Sequence, residues 1–221
     1  MAVVHRTTMT PGKMELLASW LPAQPWYRGG GAEDAPQPAR AGGFRIDDPQ
    51  GEVGIEFMVV TDGAGERPVT YHVPLTYRGA PLDGAEHALV GTSEHGVLGR
   101  RWIYDGAHDP VLVERLYALV RGGARAQAQS ESNTPDPSVT GWSATPGRPG
   151  PVGILEVSAG PDTTDVLVRT PDGELTLRVQ RVLRPAPEQD PAAELLLGHV
   201  TADWTLPDGT KARGRYAVVR A

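Results

Sequence analysis

The sequence contains no cysteine, and this absence excludes disulfide bonds, thiolate metal sites and a cysteine nucleophile. Lysine is nearly missing as well, because Lys13 and Lys211 are the two lysines among 21 basic residues. Aromatic residues make up 6% of the chain, so the core must consist mainly of aliphatic side chains. No apolar run approaches the roughly 18 residues that a membrane-spanning helix needs. The chain also lacks a long apolar stretch near its start that would mark a secretory signal.

Glycine and proline are abundant, with 27 and 21 residues, which indicates many turns. The net charge of −6 disfavours general electrostatic binding to nucleic acid or to an anionic membrane. We therefore expect a cytoplasmic protein of 221 residues, with one large or two small domains and with neither nucleic acid nor membrane as a partner.

Two helices are predicted from start signals followed by helical periodicity. Thr10 and Pro11 resemble a cap followed by a first helical residue, and they predict a helix over residues 11–21. Asp109 and Pro110 repeat this signal and predict a second helix over residues 109–121, ending near Gly122. The apolar side chains that we expect in the core of this half are Trp20, Trp26, Tyr71, Trp102 and Leu116.

Residues 125–151 show no apolar periodicity and are rich in Ser, Pro, Gly and Thr, which predicts a long loop or linker. After it, short strand-like runs alternate with the turn triplets at residues 171–173 and 207–209, which predicts hairpins. These patterns predict an α+β fold with two mainly antiparallel sheets and a few flanking helices. The predicted division is a first domain at 1–124, a linker at 125–151 and a β-rich subdomain at 152–221.

Few side chains form a pattern that indicates catalysis. No dinucleotide-binding, P-loop or nucleophile-elbow motif occurs, and the six histidines are scattered without metal-ligand spacing. Strand alternation places His72 on the face opposite Tyr71, which we expect to be the wetter one. Asp105, His108 and Asp109 could do acid–base chemistry, but a turn and a helix cap explain them more simply. The pair at residues 47–48 could ligate a cation, although a turn is favoured.

One stretch resembles a known family. W-L-P-A-Q-P-W-Y-R-G-G-G at residues 20–31 is similar to W-L-P-x-Q-R-W-[FY]-x-G-K-G, which opens the N-terminal cap of actinobacterial maltokinases. Y-H-V-P-L at 71–75, V-G at 90–91 and Y-D-G-A-H-D-P at 104–110 resemble later steps of the same cap. The resemblance covers about residues 13–122. It implies a cystatin-like cap with a curved antiparallel sheet, in a family that phosphorylates maltose with ATP within α-glucan, glycogen and trehalose metabolism.

A fainter resemblance to the kinase N-lobe continues after the loop. Q-S-E-S-N-T at 129–134 is similar to the family's E-Q-S-N-T-S phosphate-side loop, and 175–185 is similar to the strand that carries its nucleotide-binding lysine. Arg178 then stands at the lysine position, and Glu194, in D-P-A-A-E at 190–194, stands at the position of its glutamate partner. The residues of a possible remnant ligand cleft are Ser132, Asn133, Thr134, Arg178 and Glu194. Trp26 and Tyr27 are expected either as core anchors or as a sugar-stacking shelf in the cap.

The sequence lacks the H-x-D and D-F-G motifs that carry the catalytic and metal-binding aspartates of a kinase. We therefore expect a non-catalytic maltokinase-cap-like protein without a cofactor or metal. It would regulate or scaffold α-glucan, trehalose and maltose 1-phosphate metabolism. The expected partner is a glucan or trehalose enzyme, a kinase-like chain that could complete an enzyme in trans, or a second copy. Two alternatives remain open: a protein that binds a nucleotide or sugar phosphate, and a glucan-active enzyme of different chemistry.

Overall fold

The computed structural model describes residues 8–29, 36–63, 68–147, 149–186 and 195–221. Within these ranges the α-helices are α1 (Lys13–Trp20) and α2 (Pro110–Val120). Short 3-10 turns are present at Leu21–Ala23, Glu86–Ala88 and Gly106–His108. The strands are β1 (Met9–Thr10), β2 (Ala39–Ile46), β3 (Gly54–Asp62), β4 (Val69–Arg78), β5 (Leu89–His95), β6 (Gly99–Asp105), β7 (Ala126–Ala128), β8 (Thr140–Ser143), β9 (Gly153–Ala159), β10 (Thr163–Thr170), β11 (Gly173–Gln180), β12 (Gly198–Thr205) and β13 (Lys211–Arg220).

All thirteen strands belong to one antiparallel sheet, so the prediction of two sheets in an α+β fold is wrong. The strand order is β1-β5-β6-β4-β3-β2-β12-β13-β11-β10-β9, with β7 on β2 and β8 on β12. The two halves of the chain meet where Gly42 of β2 pairs with Trp204 of β12. The hairpins predicted at the triplets 171–173 and 207–209 are confirmed as β10–β11 and β12–β13.

Two consecutive glycines make this junction possible. A β-bulge interrupts the pairing of β2 with β3 between Arg40 and Gly42. A Cβ atom on Gly42 would come within 3.3 Å of the Trp204 Cα, and one on Gly43 would come within 2.2 Å of the Phe57 carbonyl oxygen. Both glycines have positive φ, at 152° and 128°. Only glycine therefore allows β2 to bend and to carry the sheet across to β12.

The second predicted helix is confirmed together with its cap. Asp109 accepts a hydrogen bond from the Val111 backbone N–H, Pro110 is the first residue of α2, and Gly122 follows its end with φ of 79°. These are the preferred residues for the two ends of a helix. No helix in the described part of the chain is long and apolar enough to cross a membrane.

The first helix begins two residues later than predicted. Thr10 belongs to β1, where it pairs with Glu94 of β5, and its backbone therefore cannot start a helix. Gly12 takes the cap position instead, and its N–H donates to the Glu15 carboxylate at 2.6 Å. The pairing of β1 with β5, which no local sequence pattern indicates, therefore decides where α1 begins, despite the cap pattern at Thr10 and Pro11.

The central strands are buried on both faces. Along β3, Phe57 and Val59 face a main core, whereas Met58 and Val60 face a second core under α1. The main core contains residues from both sides of the stretch 125–151, which carries the short strands β7 and β8. The predicted domain boundaries remain a prediction. The main core includes Phe44, Phe57, Leu112, Leu116, Val120, Val166, Leu177, Val200, Trp204 and Tyr216. The second core includes Leu17, Leu21, Trp26, Tyr71, Val73, Ile103 and Val182.

Three of the five expected core side chains are fully buried, with Trp26, Tyr71 and Leu116 each at most 1% exposed. Trp20 and Trp102 are half-buried and pack against the edges of their clusters. The expectation for the first three is therefore confirmed. Strand periodicity directs Tyr71 inward and helix periodicity directs Leu116 inward, whereas Trp26 lies in a turn after the 3-10 helix Leu21–Ala23.

The expectation that His72 faces solvent is wrong. Its ring is fully buried, lies 4.7 Å from the Tyr216 ring and has its Nδ1 2.9 Å from the Gln180 carbonyl oxygen. Burial lowers the pKa of His72 to about 3, with a further lowering by Arg181, against the opposite effect of the Gln180 carbonyl. Alternation did place His72 opposite Tyr71, but that face is covered by C-terminal strands.

Candidate functional site

Arg178 is held by an acidic neighbour within the sheet. Its Nε and Nη2 donate to the two carboxylate oxygens of Asp165 at 2.7 and 2.6 Å. The two residues lie directly opposite each other on β11 and β10, and both are half-buried. Hydrogen bonding to Asp165 raises the pKa of Arg178 above its ordinary value. This fork-to-carboxylate pair is strong and geometrically specific, so the guanidinium is committed to Asp165.

The other residues of the predicted remnant cleft do not gather around Arg178. Ser132, Asn133 and Thr134 form a turn after β7, which pairs with β2, whereas β11 lies beyond β12 and β13 in the sheet. Asn133 has a left-handed φ of 53°, and the Thr134 hydroxyl donates to the Ser132 carbonyl oxygen at 3.2 Å. Glu194 lies outside the described residues. The geometry therefore brings together Arg178 and Asp165, a pair that the sequence pattern did not indicate.

The segment before this turn is tied to the cap by a buried carboxylate. Glu56 of β3 accepts hydrogen bonds from Lys13 Nζ at 2.5 Å, from the Tyr77 hydroxyl at 2.5 Å and from Gln129 Nε2 at 2.7 Å. Burial alone would raise the pKa of Glu56, but Lys13 and the three hydrogen bonds outweigh it and lower that pKa. Glu56 thus links α1, β3, β4 and the start of the 129–134 loop.

Two arginines of β2 hold the same loop. Arg40 donates to the Gln129 side-chain oxygen and to the Ser130 hydroxyl, the latter at 3.0 Å. Arg45 donates to the carbonyl oxygens of Ala128 at 3.2 Å and Glu131 at 2.9 Å. Together with Glu56, these contacts bind the loop that resembles a phosphate-side loop to the cap.

A cavity of about 780 Å³ opens between the ends of β2 and β3 and the β12–β13 turn. Arg40 lines it together with Asp62, which accepts hydrogen bonds from the Tyr27 hydroxyl at 2.5 Å and from the Gln37 N–H at 2.8 Å. Burial, followed by the contact with Asp62, raises the pKa of Tyr27. Trp26 does not line this cavity, because its ring is 1% exposed and packs in the second core.

The acidic residues near His108 have structural partners. Asp105 accepts from the Ala107 N–H at 3.2 Å and binds the guanidinium of Arg181. Asp109 caps α2 and accepts from Nε and Nη2 of Arg78, each at 2.6 Å. The turn-and-cap interpretation of these two carboxylates is thus confirmed.

Arg181 forms a fully buried polar contact between the two halves of the chain. Its side chain has no exposure, and its Nη2 lies 2.6 and 2.8 Å from the Asp105 carboxylate oxygens. Its Nε donates to the Thr164 hydroxyl at 2.8 Å, and the guanidinium lies 5.1 Å from the Trp26 ring centroid. We refer to Arg181, Asp105, Thr164 and Trp26 as the junction cluster.

The other acidic candidate is also part of a turn. Asp48 accepts hydrogen bonds from the backbone N–H groups of Gln50, Glu52 and Val53, at 2.9–3.0 Å. Among the residues that the structure describes, no three His, Asp or Glu side chains converge as ligands of one metal ion.

The outer face of the C-terminal strands, opposite the main core, carries an exposed aromatic group. Trp142 of β8 is 48% exposed, lies opposite His199 of β12 and stacks on its ring at 5.4 Å. The same cross-strand row continues from His199 to Val218 on β13 and to Arg178 on β11. Because directly opposite residues project to the same side, Trp142 and Arg178 share one face of the sheet.

Two further apolar side chains are exposed beside Trp142. Leu195 is 82% exposed and Leu197 is 37% exposed, just before β12 begins. The Leu197 carbonyl oxygen accepts from the Ala144 N–H at 2.9 Å, which places this segment next to β8. We refer to Trp142, Leu195 and Leu197 as the Trp142 patch. Large apolar side chains grouped at the surface are typical of interaction sites.

The comparison with known families finds a match in the first half of the chain. The family model of the maltokinase N-terminal cap domain matches residues 20–109, which include β2 to β6 and end at the cap of α2. No curated protein matches the sequence significantly. Residues 20–109 of this chain are therefore similar to the maltokinase N-terminal cap domain.

Proposed function

We propose that this maltokinase-related chain is non-catalytic and acts by binding a protein partner, as a regulatory or scaffolding component of α-glucan, trehalose and maltose 1-phosphate metabolism. The observation that carries the proposal is the ion pair of Arg178 with Asp165. Arg178 stands where the resemblance implies a nucleotide-binding lysine, and its side chain is already bound within the sheet.

Phosphoryl transfer depends on cationic groups that are free to contact the phosphates in the transition state. To reach a phosphate, Arg178 would have to break two charge-assisted hydrogen bonds and leave a half-buried Asp165 unpaired. Arginine is also a wide planar fork and does not replace a compact ammonium group. The 129–134 loop supports the same view, because Glu56, Arg40 and Arg45 hold it against the cap.

The Trp142 patch is the surface that we assign to the partner. Tryptophan contributes disproportionately to binding energy at protein interfaces, and exposed leucines beside it extend the apolar contact area. The patch lies on the same face as Arg178, so a partner seated on it covers the outer face of the C-terminal strands. The expected partner is an enzyme of maltose, trehalose or α-glucan metabolism, or a kinase-like chain.

The proposal predicts that immobilised wild-type chain retains such an enzyme from a lysate of its own organism, identified by mass spectrometry. Trp142→Ser should reduce the retained amount about tenfold or more, because a central tryptophan is removed from the interface. Val97→Ser is the matched control, since Val97 is 61% exposed on the distant β5–β6 turn. Equal retention by the Trp142→Ser protein, or retention of unrelated proteins alone, would contradict the proposal.

A second candidate function is supported by the cavity beside Arg40. Its volume of about 780 Å³ would accommodate a nucleotide or a sugar phosphate, with Arg40 as a cation on the wall. A ligand of this cavity would raise the melting temperature of the chain. If the chain acts through a protein partner, ATP with Mg²⁺, maltose and maltose 1-phosphate leave the melting temperature unchanged.

A further inference from the structure

Two histidines that are distant in the sequence meet at one surface site. His87 lies in the 3-10 turn Glu86–Ala88, and His108 ends the 3-10 turn Gly106–His108. The His87 Nε2 and the His108 Nδ1 are 3.1 Å apart, with ring centroids 4.7 Å apart and ring planes at 84°. The two histidines are 21 positions apart, which matches no metal-binding spacing, so no sequence pattern indicated this pair.

Both turns are fixed by contacts that do not involve the histidines. Ala85 and Ala88 are buried in a small cluster with Tyr104, on either side of His87. Asp105 accepts a hydrogen bond from the Ala107 N–H, which fixes the turn that carries His108. The two rings are therefore positioned by the fold, and a ligand that joins them needs little rearrangement of the backbone.

We propose that His87 and His108 form a binding site for one divalent transition-metal ion of the Zn²⁺, Ni²⁺ or Cu²⁺ class, with water in the remaining coordination positions. Imidazole nitrogen suits these ions. Two nitrogens bound at about 2.0–2.1 Å to a tetrahedral ion lie about 3.3 Å apart, close to the separation of the two facing nitrogens. His87 is exposed, which gives the ion a path from solvent.

The charge of the neighbouring Arg181 does not oppose a cation at the pair. Its guanidinium is compensated by Asp105, whose carboxylate it binds at 2.6–2.8 Å.

In the absence of a metal, the same two nitrogens can share one N–H···N hydrogen bond. One facing nitrogen then carries a proton and the other accepts it. Metal binding moves that proton to the other nitrogen of its own ring, so that both facing nitrogens offer a lone pair. Only the tautomer of that ring changes, and no proton need be released, because both rings are neutral before and after binding.

The test is a titration of the full chain with CuCl₂ at pH 7.5, followed by calorimetry and by electron paramagnetic resonance of the 1:1 complex. We expect one Cu²⁺ bound with two equatorial imidazole nitrogens, and displacement by excess Zn²⁺. His87→Gln and His108→Gln should each weaken binding about tenfold or more. His95→Gln is the control, since His95 lies on the β5–β6 hairpin, where its Nδ1 accepts hydrogen bonds from the Val97 and Leu98 N–H groups. The affinity of the His95→Gln protein for Cu²⁺ should equal that of the wild type.

Three outcomes would overturn the site: no binding tighter than about 1 mM, unchanged affinity in both variants, or a spectrum with a single imidazole nitrogen. Thermal unfolding in the presence of a chelator checks that the variants are folded. The His87→Gln protein should melt at the wild-type temperature there, because His87 is exposed. A melting temperature that rises with Zn²⁺ in the wild type but not in this variant provides a second readout.

Discussion

Replacing Arg181 by methionine should lower the free energy of unfolding by about 3–5 kcal/mol, because the buried Asp105 carboxylate loses its cation. Arg181 has no exposed surface, and its Nη2 contacts both oxygens of Asp105. An unpaired carboxylate in such surroundings pays the full cost of desolvation, which the Arg181 guanidinium offsets in the wild type. Urea denaturation followed by tryptophan fluorescence measures the change.

The control for this experiment is Arg169→Met. Arg169 pairs with Glu174, but the two side chains are 67% and 51% exposed, so the loss should stay below about 1 kcal/mol. The double variant Asp105→Asn/Arg181→Met should be less destabilised than the sum of the two single variants, because the charges disappear together. A change below about 1 kcal/mol for Arg181→Met would show that this ion pair does not hold the two halves together.

Trp26→Ala should cost about 3–5 kcal/mol, the loss that is typical of removing a large buried aromatic side chain. The Trp26 ring lies 5.7 Å from Trp20 and 5.8 Å from Tyr71, and the Arg181 guanidinium lies over it. Its removal leaves a cavity in the second core and takes away the aromatic surface under a buried cation. Chemical denaturation at constant pH gives the size of the effect.

Trp142→Ala is the matched control for Trp26→Ala, because both variants lose the same atoms and Trp142 is 48% exposed. Its unfolding free energy should fall by no more than about 1 kcal/mol. If Trp26→Ala instead left the denaturation curve unchanged, the Trp26 ring would be exposed, and the sugar-stacking alternative for the cap would regain support.

Features set by neighbouring residues could be predicted from the sequence. The Asp109–Pro110 start of α2, its end at Gly122 and the two C-terminal hairpins depend on residues close together in the chain. Strand alternation likewise placed Tyr71 and His72 on opposite faces of β4. It could not show that the His72 face is covered, because the covering strands come from the far end of the chain.

The features that depend on pairing between distant segments could not be predicted. The bridge between Gly42 and Trp204 makes one sheet out of two halves, and local patterns carry no information about partner strands. The resemblance could place Arg178 at the position of the family's nucleotide-binding lysine. Its ion pair with Asp165, however, follows from the register of β10 and β11. The same reason explains why the meeting of His87 and His108 left no signal in the sequence.

The most direct test of a binding rather than a catalytic role is a phosphorylation assay on the purified chain with ATP, Mg²⁺ and maltose. We predict no maltose 1-phosphate above the enzyme-free background, for the wild type and equally for Asp165→Ala, in which Arg178 is released from its ion pair. The contrary result would be turnover of about 1 s⁻¹ or faster, within the usual range of kinases, that disappears in Arg178→Ala. That outcome would make Arg178 a phosphate-contacting residue and the chain an enzyme.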